Sequence, residues 1–310
     1  MSGENNNQSV RSYQTEFKEL LQAVYQKKAY FGPFFGNQLQ ALDGITNNKK
    51  AFEVKTNDIP VTVGQYNKDA AIAFGAGTSN SNRFGDRTEI IYDNAEVDYS
   101  WGWSIHEGID RTTVNADFDG AIADRLDLQA QTKIQLMDDQ GAKFISKSAA
   151  ETLKLADYSA DSVLALFNSL SAKYSNLEVV GQKMAWVTSE LYNAIVDHPL
   201  TTSAKSSSAN VDENNIVNFK GFTIVETPDT KFQTGEIAYT SVVNVGRQFT
   251  GINTARTIES EDFDGVALQG QGMAGEYVLP ANKKQIMKVT NSSVTPPENG
   301  GETQKTKSKK

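Results

Sequence analysis

One stretch, residues 115–140, limits the architectures open to this chain more than any other. Phe118, Ile122, Leu126, Ala130, Ile134 and Met137 recur at steps of four and three, which puts them on one helical stripe, and Ala121 and Leu128 widen it. Asn115 suits the N-cap, Asp117 and Asp119 the positive end, and Lys133 and Lys143 lie towards the negative one. Gly141 reads as the stop. About 24 residues at ~1.5 Å each span roughly 36 Å, longer than most globular domains need in one helix. The stretch is expected to form a spine, with an ordinary long core helix as the alternative until the flanks are read.

The N-terminal flank opens with a polar, Asn-rich run over residues 1–9. Phe17, Leu20, Leu21, Val24 and Tyr25 then fall at helical spacing, an amphipathic helix of about four turns. Tyr30, Phe31, Phe34 and Phe35 surround Gly32-Pro33, which breaks that helix. Phe17, Leu21, Phe34 and Phe35 therefore need an apolar partner, either elsewhere in the chain or on another chain.

Residues 51–106 carry the second strong signal. Ala95, Val97, Tyr99, Trp101, Trp103 and Ile105 alternate with polar or small residues at a period of two, the mark of a long, half-buried strand. Phe52 and Val54, then Ile59, Val61 and Val63, form its expected partner, with Pro60 confining that run to an edge or bulge. Between them lie residues 64–87, rich in Gly, Ala, Asn and Ser, with Tyr66, Lys68, Ile72, Phe74 and Phe84 scattered through. A loop of that length inside a compact domain is unusual. An extended arm whose contacts come from a neighbouring subunit is the other reading.

Beyond the spine the elements shorten. Ser159 or Asp161 caps a helix carrying Val163, Leu166, Phe167 and Leu170; residues 184–187 read as a buried strand; Thr188 or Ser189 caps a helix through Leu191, Tyr192, Ile195 and Val196. An exposed loop over 201–210 and strands at 216–227, 237–245 and 256–260 complete a mixed lobe. The tail from about 291, with Pro296-Pro297, Gly300-Gly301 and Lys305, Lys307, Lys309 and Lys310, has the composition of a solubilising, disordered end.

Little in the chain supports chemistry. There is no cysteine, and the two histidines, His106 and His198, stand far apart outside any ligand spacing. Gly270-Gln271-Gly272-Met273-Ala274-Gly275 fits the dinucleotide fingerprint, but strand and turn residues follow it where a helix is required. Gly75-Ala76-Gly77-Thr78 lacks a phosphate-binding lysine, and no G-x-S-x-G occurs. Asp117, Asp119, Asp124 and Asp127 spread around their helix as a solvated face. Asp117-Phe118-Asp119-Gly120 recurs as Asp262-Phe263-Asp264-Gly265 without a period. No catalytic, cofactor or metal site is expected, and an enzyme is the weakest reading. A net charge of -8 disfavours a dedicated nucleic-acid binder, and no apolar run approaches a membrane span of ~20 residues.

The order of parts is then informative: amphipathic arm, long extended hairpin, single long helix, mixed lobe, final strands, loose tail. It resembles the tailed-bacteriophage (Caudoviricetes) major capsid protein, the HK97-like fold family shared with encapsulin shells. Met184-Ala185-Trp186-Val187-Thr188-Ser189 with Leu191-Tyr192, Phe219-Lys220-Gly221-Phe222-Thr223-Ile224-Val225, and Asp262-Phe263-Asp264-Gly265 before Ala281-Asn282-Lys283-Lys284 look similar to capsid proteins of phages infecting Gram-positive bacteria. The resemblance implies an α+β fold: N-terminal arm over 1–50, extended β-hairpin loop (E-loop) over 51–106, peripheral domain over 107–157 and 255–290 with the spine helix, mixed axial domain over 158–254, and tail over 291–310. It also implies self-assembly through pentamers and hexamers into an icosahedral shell around double-stranded DNA, built in the host cytoplasm, located in the virion and without a membrane. A portal and a separate scaffolding protein are expected partners, since too few residues precede the arm for a built-in scaffold. Contact with the packaged genome is expected to be weak and non-specific. Subunit-contact candidates are Phe17, Leu21, Phe34, Phe35, Tyr66, Lys68, Phe74, Phe84, Tyr99, Trp101 and Trp103. Some relatives join subunits by a lysine–asparagine bond, but no motif aligns Lys68 and Asn282 as such a pair. The alternatives are an encapsulin-like shell protein and a phage tail or surface-binding protein.

Overall fold

The computed structural model describes residues 29–37, 39–41, 50–57, 59, 61, 63–66, 68, 84, 88–114, 117–199, 209–210, 215–216 and 218–291. The expected amphipathic helix at 17–25 and the tail lie outside the described residues. The chain divides into two compact units, a body of Met1–Ala41 with Ser100–Lys310 and an inserted unit of Leu42–Tyr99.

In chain order, a 3-10 turn (Gly32–Phe35) precedes β1 (Leu39–Ala41); the inserted unit holds β2 (Lys50–Thr56) and β3 (Asp93–Asp98). The body resumes with β4 (Trp101–Asp110), α1 (Phe118–Ser148), β5 (Glu151–Leu155), α2 (Ala160–Asn176), β6 (Lys183–Val187) and α3 (Ser189–Val196). Short β7 (Ala209–Asn210), β8 (Asn215–Ile216) and β9 (Asn218–Phe219) lead to β10 (Phe222–Glu226), β11 (Glu236–Val242), β12 (Gly246–Glu259), β13 (Gly265–Val278) and β14 (Met287–Asn291).

The main core surrounds a six-stranded sheet of order β5-β14-β11-β6-β10-β9. β11, inside it, is buried at all seven positions, so its sequence reads as a near-continuous run rather than an alternation. α2 covers the sheet with Val163, Leu166, Phe167, Leu170 and Tyr174, the helical stripe expected from the sequence plus one further turn. Ser159 caps it by accepting from the Ser162 N–H, as expected.

A second sheet, β1-β12-β13-β4, contains the two long antiparallel strands β12 and β13, offset by a bulge between Thr250 and Asn253. The fingerprint-like glycines lie within β13, in a strand as their neighbours required. Gly272 has a packing role: a Cβ there would stand 2.5 Å from Nε1 of Trp103, its cross-strand partner.

Four expectations need correction. The helix does not stop at Gly141 but spans 31 residues, about 46 Å. Gly141 lies against the Phe35 ring, 2.8 Å from the position its Cβ would take, so packing overrides its breaking tendency. Asp117 caps the helix by accepting from the Gly120 N–H at 2.9 Å; Asn115 is outside the described residues. The alternating run at 95–105 is two strands, β3 pairing β2 and β4 pairing β13, with the break at Tyr99-Ser100. Ile59, Val61 and Val63 belong to no strand and are exposed.

The inserted unit holds the antiparallel pair β2–β3, with Lys50 bridging Glu53 and Glu96 across it.

Candidate functional site

The body is fastened around residues 30–37. Pro33 starts the 3-10 turn with its φ already fixed, and Gly36 (φ 81°) and Asn37 (φ 55°) end it in the left-handed region. The turn drives Phe31, Phe34 and Phe35 into the core, where Phe31 lies 5.6 Å and Phe34 6.3 Å from Trp186 between ring centroids. The Trp186 indole N–H donates to the Tyr30 carbonyl at 2.9 Å.

Asp138, on the buried side of α1, completes this fastening. Its Oδ1 accepts from the backbone N–H groups of Tyr30 and Phe31, each at 2.9 Å, and its Oδ2 lies 3.1 Å from the Lys231 ammonium. Lys231 also pairs with Asp139. Burial works against the Lys231 charge, but Asp139 and Asp138 outweigh it and raise its pKa. Sequence reasoning passed over Asp138, because one acid in a charged helix reads as a solvated face. A second buried network joins α1 to β11 and β14: Glu236 accepts from Ser146 (2.8 Å), Lys288 (2.6 Å) and Tyr239 (2.6 Å). Burial, then the hydrogen bond to Glu236, pushes the Tyr239 pKa up.

Beside the turn lies a cavity of about 350 Å³ whose apolar wall is Phe31, Phe35, Leu39, Trp103, Ile134 and Met137. Lys133 stands 4.5 Å over the Trp103 ring, with its pKa pushed down by burial. At the start of β4, Glu276 accepts from Ser100 Oγ (3.0 Å), Trp101 Nε1 (2.9 Å) and Gln248 Nε2 (3.3 Å).

The inserted unit differs in its surface. Val61 and Val63 are each 89 % exposed and Phe84 83 %, and Ile90, Ile91 and Tyr92 are exposed as well. Tyr66 and Phe84 stack edge to face at 5.1 Å and both remain open to solvent.

The subunit-contact candidates thus separate. Tyr66, Lys68 and Phe84 are exposed. Phe34 and Phe35 are corrected: they are buried in the chain's own core because the Gly-Pro turn points them inward. Tyr99 is buried, and Trp101 and Trp103 are half-buried, engaged by Glu276 and by Gly272 with Lys133, so the alternating face is not a free outer surface. Phe17, Leu21 and Phe74 lie outside the described residues. The part of the spine stripe at Leu126, Ala130 and Ile134 is exposed, while burial concentrates from Met137 onwards.

His198 is buried with Nε2 3.1 Å from the Ala160 carbonyl, and His106 is exposed with Nε2 3.3 Å from Gln269 Nε2. Among the described residues no group of His, Asp and Glu could hold a metal ion, and no helix is long and apolar enough to cross a membrane.

No family model matches the sequence, and no curated protein matches it. Solved structures do. The capsid structure of cyanophage P-SCSP1u matches with a TM-score of 0.66 at 10% identity, covering 87% of this chain and 90% of that one. A protein of Mycobacterium phage Che8 matches with a TM-score of 0.58 at 15% identity, over 79% and 85%. The virus-like particle from Pyrococcus furiosus matches with a TM-score of 0.53 at 12% identity, over 92% and 100%. The chain has the HK97-like capsid fold.

Proposed function

We propose that this chain, carrying the fold of phage capsid subunits over most of its length, is the major capsid protein of a tailed phage, closing through pentamers and hexamers into an icosahedral shell around double-stranded DNA. The observation that carries the proposal is the inserted unit, whose Val61, Val63 and Phe84 are almost fully exposed, whereas the body closes its own core. An apolar surface of this kind marks a contact with another protein. Burying each such side chain contributes about 1.5–3 kcal/mol before ordering costs, so a shell built from many such contacts forms without any single tight one. In this reading residues 51–106 are the extended loop laid over a neighbour, α1 is the spine of a peripheral domain made of 107–157 and 255–290, and 158–254 form the axial domain. A scaffolding protein and a portal are the expected partners. The chain's net charge of -8 suits a wall that does not grip its packed genome.

The test is deletion of residues 64–87 with a short linker, followed by electron microscopy and light scattering at rising concentration. Free subunits or capsomers are expected, against shells or hexamer sheets from the intact chain. Intact shells from the deletion would sink the proposal.

A second reading, an encapsulin-like shell, is favoured by the likeness to the virus-like particle, the whole of whose chain is covered. Nucleic-acid content of particles purified from the native source separates the two: packaged DNA supports the phage reading, and an enclosed protein the other.

A further inference from the structure

Every described residue that lines the cavity beside α1 belongs to the body. Phe31, Phe35, Trp103 and Met137 form its apolar side, with Leu39 and Ile134 at the rim. That wall is held from behind, because Asp138 accepts from the N–H groups of Tyr30 and Phe31, Trp186 donates to the Tyr30 carbonyl, and Gly141 leaves room for the Phe35 ring against α1. A wall already in place costs a ligand little ordering. The volume of about 350 Å³ lies in the range of small-molecule sites, and an apolar cavity of about 150 Å³ is enough for benzene. There is room for a ring with a short chain.

Two of the described lining residues are charged, and they differ. Asp138 is committed within the body: Oδ1 takes the two N–H groups, and Oδ2 lies 3.1 Å from the Lys231 ammonium. Gln248 and Thr250 are committed as well, Gln248 to the Met137 carbonyl and Glu276, Thr250 to the Met273 carbonyl. Lys133 instead brings its ammonium to the cavity, 4.5 Å over the Trp103 ring, and burial works against that charge. An anion beside the ammonium offsets the burial, a neutral group leaves it unchanged, and a second cation adds to it. The cavity is thus apolar in its walls and selective in sign.

From these observations we infer that the cavity binds a small apolar carboxylate, its ring or chain against Phe31, Phe35, Leu39 and Met137 and its carboxylate on the Lys133 ammonium. Two independent features set the class. The apolar wall supplies affinity, and Lys133 favours an anion over an amine or alcohol of the same shape. The inference goes beyond the shell reading and stands without it.

The test titrates the full chain, isotope-labelled on its methionine methyl groups, with phenylbutyrate, phenylbutanol and phenylbutylamine, and follows it by nuclear magnetic resonance. Met137 lines the cavity, while Met184 and Met287 are buried in the six-stranded sheet. Phenylbutyrate is expected to shift the Met137 signal saturably and leave the other two in place, with a dissociation constant about tenfold below those of the alcohol and the amine. Lys133→Leu, which keeps an apolar stem over Trp103, should remove that preference, and Lys133→Glu should reverse it in favour of the amine. Unchanged Met184 and Met287 signals report that each variant is folded. No saturable shift at Met137, equal affinity for the three probes, or an anion preference that survives in Lys133→Glu overturns the inference. Should Lys133→Glu disturb the buried signals, Lys133→Leu decides alone, and an anion preference retained there overturns it. A chain that binds phenylbutyrate here yet never forms shells retains this inference and removes the shell reading; one that forms shells without binding it does the reverse.

Discussion

All seven residues of β11 are buried in the body, whereas Val61 and Val63 of the inserted unit are each 89 % exposed and its described strands number two. A two-stranded pair is marginal by itself in water, and a six-stranded sheet covered by helices is not. The contrast teaches where each region finds its stability. The body closes its core with its own side chains; the inserted unit leaves Val61, Val63 and Phe84 open to solvent.

The comparison can be broken from either side, on a scale of stability of the isolated protein. Trp186→Ala removes the ring packed against Phe31 and Phe34 together with its bond to Tyr30, and is expected to cost about 3–5 kcal/mol by urea unfolding. Asp138→Ala leaves two backbone N–H groups without their acceptor and takes from Lys231 one of its two carboxylates, at a cost of about 3 kcal/mol. Asp138→Asn, which keeps an acceptor for the N–H groups, should cost less; equal losses would assign the effect to the charge alone. Gly272→Val pushes a side chain into Trp103 and should cost about 1–3 kcal/mol, with a shift in tryptophan emission.

The fourth effect depends on pH. The Arg125 fork holds the Glu107 carboxyl below its usual range, with burial opposing and Gln129 assisting. A depressed native pKa stabilises above the unfolded value of about 4.3 and is lost as pH falls through the native one. The stability difference between the wild type and Glu107→Gln should therefore be below about 1 kcal/mol at neutral pH, since Arg125 is half exposed, and should vanish under acid. A difference that persists at low pH would point to packing instead. Smallest of all, Val61→Ser with Val63→Ser and Phe84→Ser should alter stability by no more than about 0.5 kcal/mol while abolishing shell formation. A large loss of stability in that variant would end the distinction between the two regions.

Periodicity made much of the fold legible. α2, β6 and α3 fall where their stripes and caps placed them, and the alternation through Val97, Tyr99, Trp101 and Trp103 is real. It concealed the break at Ser100, because both strands keep the same phase across it. Their partners differ, and a partner such as β13, far along the chain, leaves no local mark. Gly141 was misleading for a related reason: propensity marks a stop, but the ring of Phe35, distant in sequence, needs the space. Phe34 and Phe35 had the composition of a contact surface and became core once Trp186 stood opposite them. Asp138 carried no signal, since its role is defined only by the two N–H groups it meets.

The four-stranded sheet has one more consequence. Ala41, Thr250, Ala274 and Trp101 lie in one register across it, so the chain departs after β1 and resumes at β4 on a single row, at the two edges of the sheet. Three strand spacings set those points about 14 Å apart. Between them sit the inserted unit, Leu42–Tyr99, and Ser100. A bridge of roughly five residues spans the same gap. The inserted unit is in this sense a cassette: it can lengthen, shorten or be exchanged for another while both ends of the sheet stay where they are, without a new core.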